Sequence, residues 1–325
     1  MGNSSRLNTT SAEAHMNLAI GCFIFIFFLL GIAVNGLFLW LLGMKMKRTV
    51  NTLWFLHLIF TYFISCSFMP FFAVYVLLDF VWVFGLFMCK LIITSFSLGT
   101  FTSVFLLTII SLDRYLFTCH PNWSQRNRTV RRAQRLIIGV WLVSLVLSTP
   151  FLAFQETLPV NGKTQCINHF AFSYEPRTKA PNFAVHLAFF IVRFLLAFLI
   201  PFIIIMACYC GVAWEMKKKG LVRRTAKPFR VLVAAVSSFF ICWLPYHIYY
   251  ASLLIEGVPE ITLHILWVIV AIGGCFNVCF TPILYLFVGE KFQEVFKMSI
   301  LGLLKKAFKD LPFAQEDDTG AEGLS

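Results

Sequence analysis

The residues of this chain that could do chemistry are a few charged side chains and cysteines set among long apolar stretches. Asp113-Arg114-Tyr115 closes one apolar stretch, and Arg193 is the only fixed cation well inside another. Charges at membrane depth are costly, so both positions are functional candidates by default. Cys89 opens one stretch and Cys166 lies in a long polar loop, where a bridge between them would hold that loop in place.

The composition shows what kind of element must position these residues. Of the 325 residues, 59% are hydrophobic and only 13% are charged. A soluble domain usually has about a quarter charged residues, which excludes an ordinary cytosolic protein. Disordered chains and small disulfide-rich scaffolds need polar or cysteine-rich compositions that this chain lacks. The class that remains is a polytopic membrane protein.

Seven stretches are long and apolar enough to cross a bilayer, which takes about 20 residues of helix. They are approximately Asn17–Met44, Thr52–Leu78, Leu86–Thr118, Ala133–Phe154, Phe183–Met216, Pro228–Ile255 and Ile261–Val288. Long apolar runs without alternation are helical in lipid. The predicted fold is an all-α membrane protein with a seven-transmembrane helix bundle over residues 17–288.

The distribution of basic residues predicts the orientation. Of the 27 lysines and arginines, 21 fall on one side of the predicted spans, which is therefore cytoplasmic and places the N-terminus outside the cell. The charge excess is thus a topology signal, and a nucleic-acid partner is not expected. Residues 1–16 form an extracellular tail, in which Asn3 and Asn8 fit the N-glycosylation pattern. The expected location is the plasma membrane.

The residues after the last span predict a second kind of membrane contact. Over 289–309, apolar residues recur at helical spacing with lysines between them. This pattern indicates a short amphipathic helix on the inner leaflet, in contact with membrane lipids. Residues 310–325 form a cytoplasmic tail.

Enzymatic and transport functions find no support. The chain has no His-Glu-x-x-His, no Gly-x-Ser-x-Gly and no phosphate-binding glycine loop. The last span has no lysine for a retinal Schiff base, and one intramembrane arginine is too few for a transporter's ionisable relay. We therefore expect neither an enzyme nor a bound cofactor or metal.

Several motifs occur in a fixed order. They are Asn35, Asp113-Arg114-Tyr115, Trp141, Pro201 with Tyr209, Cys242-Trp243-Leu244-Pro245 and Thr281-Pro282-Ile283-Leu284-Tyr285. This set resembles rhodopsin-like (class A) G-protein-coupled receptors. The segment from His120 to Val130 and Phe287-Val288-Gly289 are similar to the chemoattractant and formyl-peptide receptor group. Asn51-Thr52-Leu53 and Leu112–Leu116 look most like the orphan G-protein coupled receptor 33 type.

The resemblance implies roles for particular residues. Those implied for G-protein coupling are Asp113, Arg114, Tyr115, Tyr209 and Tyr285. Those implied for the activation switch are Trp243, Pro245, Phe239, Pro201 and Pro282. The partner it implies is a heterotrimeric G protein of the inhibitory type. The alternative that stays open is a non-signalling decoy or scavenger receptor of the same fold.

Three residues depart from the family's pattern. Tyr62 replaces the buried carboxylate of the second span, and Thr281 replaces the Asn or Asp of the last motif. Without that carboxylate a hard cation loses its main charged ligand, so sodium should have no allosteric effect. Thr225 stands where many relatives have an acid that pairs with Arg114. Without that ion pair, the inactive state is expected to be only weakly stabilised.

The ligand pocket is predicted around Arg193. A desolvated guanidinium binds a carboxylate bidentately, so the expected extracellular ligand is an anionic lipid or a hydrophobic peptide with a free carboxyl end. The predicted lining residues are Arg193, Tyr246, His247, Tyr250, Ser97 and Phe96. Two alternatives remain open: Arg193 could pair with backbone carbonyls, or it could extend toward the membrane surface.

Overall fold

The computed structural model describes residues 2–160, 162–168, 183–220, 222–285, 294–295, 297–299 and 301–302. For residues 2–13, 222–232, 235 and 283–285 it describes the backbone alone. The described chain consists of long helices and one β-hairpin. We call the two ends of this bundle the hairpin end and the Asp113 end.

The helices follow the seven predicted spans in order. Those of the first four spans are Gly2–Trp40 with a π-helical turn over Leu41–Lys45, Val50–Ser67 and Met69–Leu77, Gly85–Cys119, and Val130–Phe154. A short helix, Pro121–Asn127, joins the third span to the fourth. Those of the last three spans are Phe183–Phe194 with a π-helical turn over Leu195–Leu199 and then Ile200–Lys218, Val222–Ser252, and Glu260–Tyr285.

Local chemistry explains where several of these helices start and break. Thr49 caps the second span by accepting the Thr52 backbone N–H, and Thr129 caps the fourth span in the same way through Arg132. Pro70 lies in the first turn of the helix that restarts the second span, because proline has no N–H and suits that position. The starts of these three helices are therefore encoded locally.

Six helices are long and apolar enough to cross a membrane when the described residues are considered. They comprise the predicted first to fifth spans and the seventh. The predicted sixth span lies in the helix Val222–Ser252, which has 31 residues, and the side chains of residues 222–232 are not described. The chain thus supplies a helix for every predicted span.

The core runs along the inward faces of the spans. Phe239, Leu58 and Leu107 are fully buried there. Asn35 is also fully buried, and its side-chain amide donates to the Gly31 carbonyl at 2.9 Å and to the Val278 carbonyl at 3.2 Å. This second bond joins the first span to the seventh.

The sixth and seventh spans approach each other closely at a glycine. A methyl group at Gly273 would lie 2.7 Å from the carbonyl oxygen of Cys242. Only glycine leaves room for that backbone contact. Cys242 lies three residues before Pro245, so this close contact lies beside the proline-containing turn of the sixth span.

The loop between the fourth and fifth spans contains a hairpin that the sequence analysis did not predict. Strands β1 (Gln155–Val160) and β2 (Lys163–Asn168) pair antiparallel. The Trp82 backbone N–H donates to the Thr164 carbonyl at 2.8 Å, and Cys89 and Cys166 form a disulfide. The hairpin is therefore attached to the start of the third span.

Several predicted features lie partly or wholly outside the described residues. Asn3 and Asn8 belong to the first helix, which begins at Gly2 within the segment expected to be a tail, and only their backbone is described. Most of the predicted surface helix 289–309 and the whole tail 310–325 are also outside. Glycosylation, the surface helix and the tail stay predictions.

Candidate ligand and G-protein sites

Arg193 lies in the last turn of the helix Phe183–Phe194, directly before the π-helical turn. Pro201 follows that turn and has no N–H to offer the Ala197 carbonyl, which favours the irregular backbone. π-Helical turns are frequent at functional sites. The Arg193 residue is only 8% exposed, so its charge is held inside the bundle.

Three aromatic rings surround the Arg193 guanidinium. Its central carbon lies 4.9 Å from the ring centre of Phe151, 5.3 Å from that of Tyr246 and 4.6 Å from that of Tyr250. These distances are within the range of cation–π attraction. Arg193 Nη1 also donates to the Tyr246 hydroxyl. We call Arg193 and these three rings the arginine cage.

The arginine cage differs from both alternatives that the sequence left open. Arg193 neither extends to the surface nor has a backbone carbonyl as a described hydrogen-bond acceptor. Its partners come instead from the fourth and sixth spans, and all of them are uncharged. No carboxylate among the described residues forms an ion pair with it.

Two polar atoms beside the cage have no hydrogen-bond partner among the described residues. His247 is 4% exposed, packs against Phe194, Phe198 and Tyr246, and leaves its Nδ1 unpaired. Trp243 packs against Tyr246 at 5.2 Å between ring centres and leaves its Nε1 unpaired. Buried polar atoms are normally bonded, so this region has capacity for a polar group from a ligand.

Two predicted lining residues have no described contact with the cage. Phe96 packs edge-on against Phe72, with 5.1 Å between ring centres, in a cluster with Trp82 and the disulfide. Ser97 is half-buried one residue further along the third span. No described contact joins either residue to Arg193. Lys163, at the start of β2, is paired with Asp79.

The residues expected to form the activation switch continue inward from the cage. Phe239 is fully buried, and its ring centre lies 5.9 Å from that of Trp243. Trp243 in turn contacts Tyr246, so aromatic rings connect the arginine cage with the middle of the sixth span. Pro201 is buried in the fifth span, and Pro245 lies two residues after Trp243 in the sixth span. Pro282 lies inside the seventh span.

At the Asp113 end, Asp113 pairs with Arg128 and not with its neighbour in the sequence, Arg114. Arg128 donates from Nε and Nη2 to the two Asp113 carboxylate oxygens at 2.8 and 3.0 Å. Arg114 donates instead to the Asn51 side-chain oxygen at 3.1 Å, and Arg128 donates to the same oxygen. Arg128, which directly follows the short helix, therefore binds the Asp113 carboxylate, and the described hydrogen bond of Arg114 is to the Asn51 amide oxygen.

The tyrosines expected near the G protein have different environments. The Tyr209 hydroxyl is 3.2 Å from the Ser111 hydroxyl and lies inside the bundle. Tyr115 packs over Gly211, where a methyl group would lie 2.5 Å from its ring. The side chain of Tyr285 is outside the described residues. Tyr209 is thus already close to the third span, one turn from Arg114.

The family resemblance implies a sodium pocket around Tyr62 and Thr281, and the described side chains there are uncharged. Tyr62 is 3% exposed and faces Thr281, which is fully buried. Asn277 donates to the Thr281 hydroxyl at 3.5 Å, and Ser103 donates to the Thr100 carbonyl at 3.0 Å. A phenol and a threonine hydroxyl therefore fill the place of two strong cation ligands.

A cavity of about 500 Å³ opens beside the Asp113 end. Its lining combines apolar and charged residues, namely Phe117, Thr118, Pro121, Ser124, Gln125, Arg128, Glu215, Met216 and Lys219. Lys219 pairs with Glu215 at 3.0 Å. Arg128 lies both in this lining and in the pair with Asp113.

A family comparison decides the class of the protein. Residues 34–285 match the family "7 transmembrane receptor (rhodopsin family)". The chain belongs to this family. It is a seven-transmembrane receptor of the plasma membrane and not an enzyme, and its partners are G proteins and an extracellular ligand. The resemblance read from the motifs is confirmed.

Individual relatives fit the chemoattractant group. The chain is 46% identical to "Probable G-protein coupled receptor 33" of Homo sapiens, over 90% of this chain and 89% of the relative. It is 37% identical to "Chemerin-like receptor 1" of Rattus norvegicus, over 86% and 78% respectively. It is 35% identical to "N-formyl peptide receptor 3" of Pan troglodytes, over 92% and 88%.

Sequence reasoning missed three parts of these sites. Arg128 was included only in the segment from His120 to Val130 and not as a partner of Asp113, and Asn51 was noted only as part of a resemblance. Phe151 received no role, although its ring forms one wall of the arginine cage. The pair Asn161-Gly162 is a strong hairpin signal and would have revealed the hairpin.

Proposed function

We propose that this receptor binds an extracellular acidic amphiphile at Arg193 and then activates an inhibitory G protein. The ligand class is an anionic lipid or a hydrophobic peptide with a free carboxyl end. In this proposal the N-terminus and the hairpin end are extracellular, and the Asp113 end faces the cytoplasm. The observation that supports it is the buried charge of the arginine cage.

The arginine cage suits a carboxylate because its members leave the charge of Arg193 uncompensated. Tyrosine hydroxyls and aromatic faces attract a guanidinium but supply no full negative charge. A guanidinium has five N–H donors, and a carboxylate accepts two of them in a parallel, charge-assisted pair. Such a pair would be formed in a site that is screened from water, where it is strongest.

The surroundings of the cage suit an apolar ligand body. Phe194 and Phe198 pack against His247, and Phe151 packs against the Arg193 guanidinium. Ligand pockets typically combine apolar walls with a few polar groups that fix orientation. Arg193, His247 Nδ1 and Trp243 Nε1 are polar groups of that kind.

The aromatic contacts give the ligand a route to the switch. A ligand shifts a receptor's equilibrium only by binding one state better than the other. Tyr246 contacts both Arg193 and Trp243, so repositioning of its ring by a ligand would change the packing of Trp243 and Phe239. That change would favour a swing of the sixth span and expose Arg114 to the G protein.

The first experiment measures ligand-free activation of an inhibitory G protein in cells. Wild-type receptor is compared with Arg114→Ala at matched surface expression, with Cys210→Ala on the exposed face as the control variant. A basal signal that is lost only in Arg114→Ala supports signalling through this residue. A receptor that binds ligand but gives no signal in any variant would favour the decoy alternative.

The ligand class is tested with pairs of molecules that differ in one charge. Anionic lipids and hydrophobic peptides are screened for binding, and each active acid is compared with its methyl ester or amide. We expect the neutral partner to bind at least about tenfold more weakly to the wild type, which is about 1.4 kcal/mol. Arg193→Ala should abolish this difference, and an unchanged preference for the acid would remove Arg193 from the site.

A further inference from the structure

The structure brings two cysteines of distant spans into contact. Cys66 of the second span and Cys279 of the seventh are both buried, with exposed fractions of 0% and 2%. A methyl group at Gly31 would lie 2.3 Å from the Cys66 sulfur and 3.1 Å from the Cys279 sulfur. Both sulfurs therefore surround one point on the first span, and the two thiols are within hydrogen-bonding reach of each other.

Each thiol also has a fixed neighbour. The Asn35 amide donates to the Cys66 sulfur at 3.7 Å, and the Cys279 thiol donates to the Phe27 carbonyl at 3.3 Å. Asn35 further donates to the Val278 carbonyl, beside Cys279. Glycine at position 31 provides the space that both sulfurs occupy. Residues of three spans therefore hold the two sulfurs in place, which is more than two small side chains that merely fill space in the core would need.

We propose that Cys66 and Cys279 form an oxidation-sensitive pair that can cross-link the second span to the seventh. The co-reactant is a two-electron oxidant of the peroxide class. One thiol reacts with hydrogen peroxide to give a sulfenic acid and one water molecule. The second thiol then attacks that sulfur, the S–S bond forms, and a second water leaves. In total the two thiols lose two protons and two electrons, which reduce the peroxide to two molecules of water.

Burial affects the rate of this reaction but also directs its outcome. A thiol away from water reacts slowly, because oxidation follows thiolate character and exposure. Hydrogen peroxide is small and uncharged, and a sulfenic acid formed on either cysteine would have the other thiol in contact. Cys22 and Cys210 lie on the outer faces of their spans, where peroxide reaches the sulfurs without entering the bundle, so they should be oxidised first.

A cross-link at this position would restrict movement between two spans of the bundle. Tyr62 lies one turn before Cys66, and Thr281 lies two residues after Cys279, so the bond would form beside the uncharged site that replaces the sodium pocket. The hydrogen bond from Asn35 already joins the first span to the seventh there. Oxidation would make the connection among these spans covalent.

The test uses full-length receptor in cell membranes. The membranes are treated with hydrogen peroxide, and the receptor is then denatured in the presence of N-ethylmaleimide, which alkylates the remaining thiols. Digestion with chymotrypsin follows, and its cleavage after Phe276 separates Cys275 from Cys279. Mass spectrometry then measures the peptide in which Cys66 is linked to Cys279. We expect that peptide to rise at least about tenfold over untreated membranes.

Two variants control the assignment. Cys279→Ser should lose the linked peptide, and Cys275→Ser, which changes a buried cysteine one turn earlier on the same helix, should retain it. The proposal is overturned if Cys66 and Cys279 are both recovered as alkylated thiols at peroxide doses that oxidise Cys22 and Cys210. It is also overturned if Cys66 is linked to Cys275 instead.

Discussion

The two ends of the bundle hold their arginines in different ways. At the hairpin end, Arg193 is enclosed by three uncharged rings, and the surrounding loop is fixed by a disulfide. At the Asp113 end, Arg128 has a carboxylate, and Arg114 shares the Asn51 amide with it. One end has a buried arginine with no charged partner among the described residues, whereas at the other end two arginines share a carboxylate and an amide.

This difference suits the two tasks of a receptor. A binding site gains from a preformed frame, because little has to be ordered when the ligand arrives. A coupling site must change its contacts between states, and a small set of ionic and amide bonds allows such a change without repacking a core. The predictions below test this contrast, beginning with the largest expected effect.

Loss of the disulfide should have the largest effect. Cys166→Ser removes the covalent bond that holds the hairpin to the third span, which should cost about 2–5 kcal/mol of folding free energy. Surface labelling should show a severe loss of folded receptor. Cys89→Ser and the double variant should lose the same amount of surface receptor, because the same single bond is removed in all three. Cys210→Ser should have a normal surface level. Wild-type surface levels in Cys166→Ser would contradict the frame described for this end.

Removal of Asp113 should be the next largest effect. Asp113→Ala leaves the partly buried Arg128 without its two charged hydrogen bonds, which should cost roughly 2–3 kcal/mol. The measurement is thermal unfolding of the purified receptor. Arg128→Ala and the double variant complete a cycle in which the double loss should be clearly smaller than the sum of the single losses. Additive losses would show that the two residues do not act as a pair.

Removal of Arg193 should cost less than removal of Asp113. Arg193→Met takes away a buried charge and leaves only neutral partners, so we expect a change in unfolding free energy below about 1 kcal/mol. Tyr246→Phe retains the charge but removes its hydroxyl acceptor, which should cost about 1.5 kcal/mol. If Arg193→Met proved the more damaging of the two, Arg193 would be a structural residue whose charge the fold requires.

Sodium should have the smallest effect. Replacing a large organic cation with sodium at constant ionic strength should leave the unfolding temperature of the receptor unchanged, because Tyr62 and Thr281 provide no carboxylate. The variant that combines Tyr62→Asp with Thr281→Asn restores the pattern of relatives and should become sodium-sensitive. A sodium shift in the wild type would mean that the hydroxyl and amide groups alone bind the ion.

Helix positions could be predicted from the sequence because the signal is local. A span needs about 20 apolar residues, and caps such as Thr49 and Thr129 lie next to the helices they start. The motifs that identify the family are also short runs. The aromatic residues of the sixth span beside Arg193 were found for the same reason, since Tyr246, His247 and Tyr250 follow Pro245 directly.

The partners of the charged residues could not be predicted in this way. Asp113 and Arg128 are 15 residues apart, and their contact depends on how the short helix Pro121–Asn127 directs the chain. Phe151 reaches Arg193 from another span, and its spacing in the sequence gives no sign of this. The pairing of Cys66 with Cys279 likewise arises only when three spans pack around Gly31.

The contact between Gly273 and Cys242 gives the sixth span unequal arms. Ten residues, about 15 Å of helix, separate Cys242 from Ser252 at the hairpin end, and 20 residues, about 30 Å, separate it from Val222. A helix that tilts as a rigid rod about this contact is a lever with a ratio of two to one. Tyr246 and Tyr250 lie on the short arm, so a displacement too small to reshape the arginine cage would be doubled at the Asp113 end, where the proposed function places the G protein.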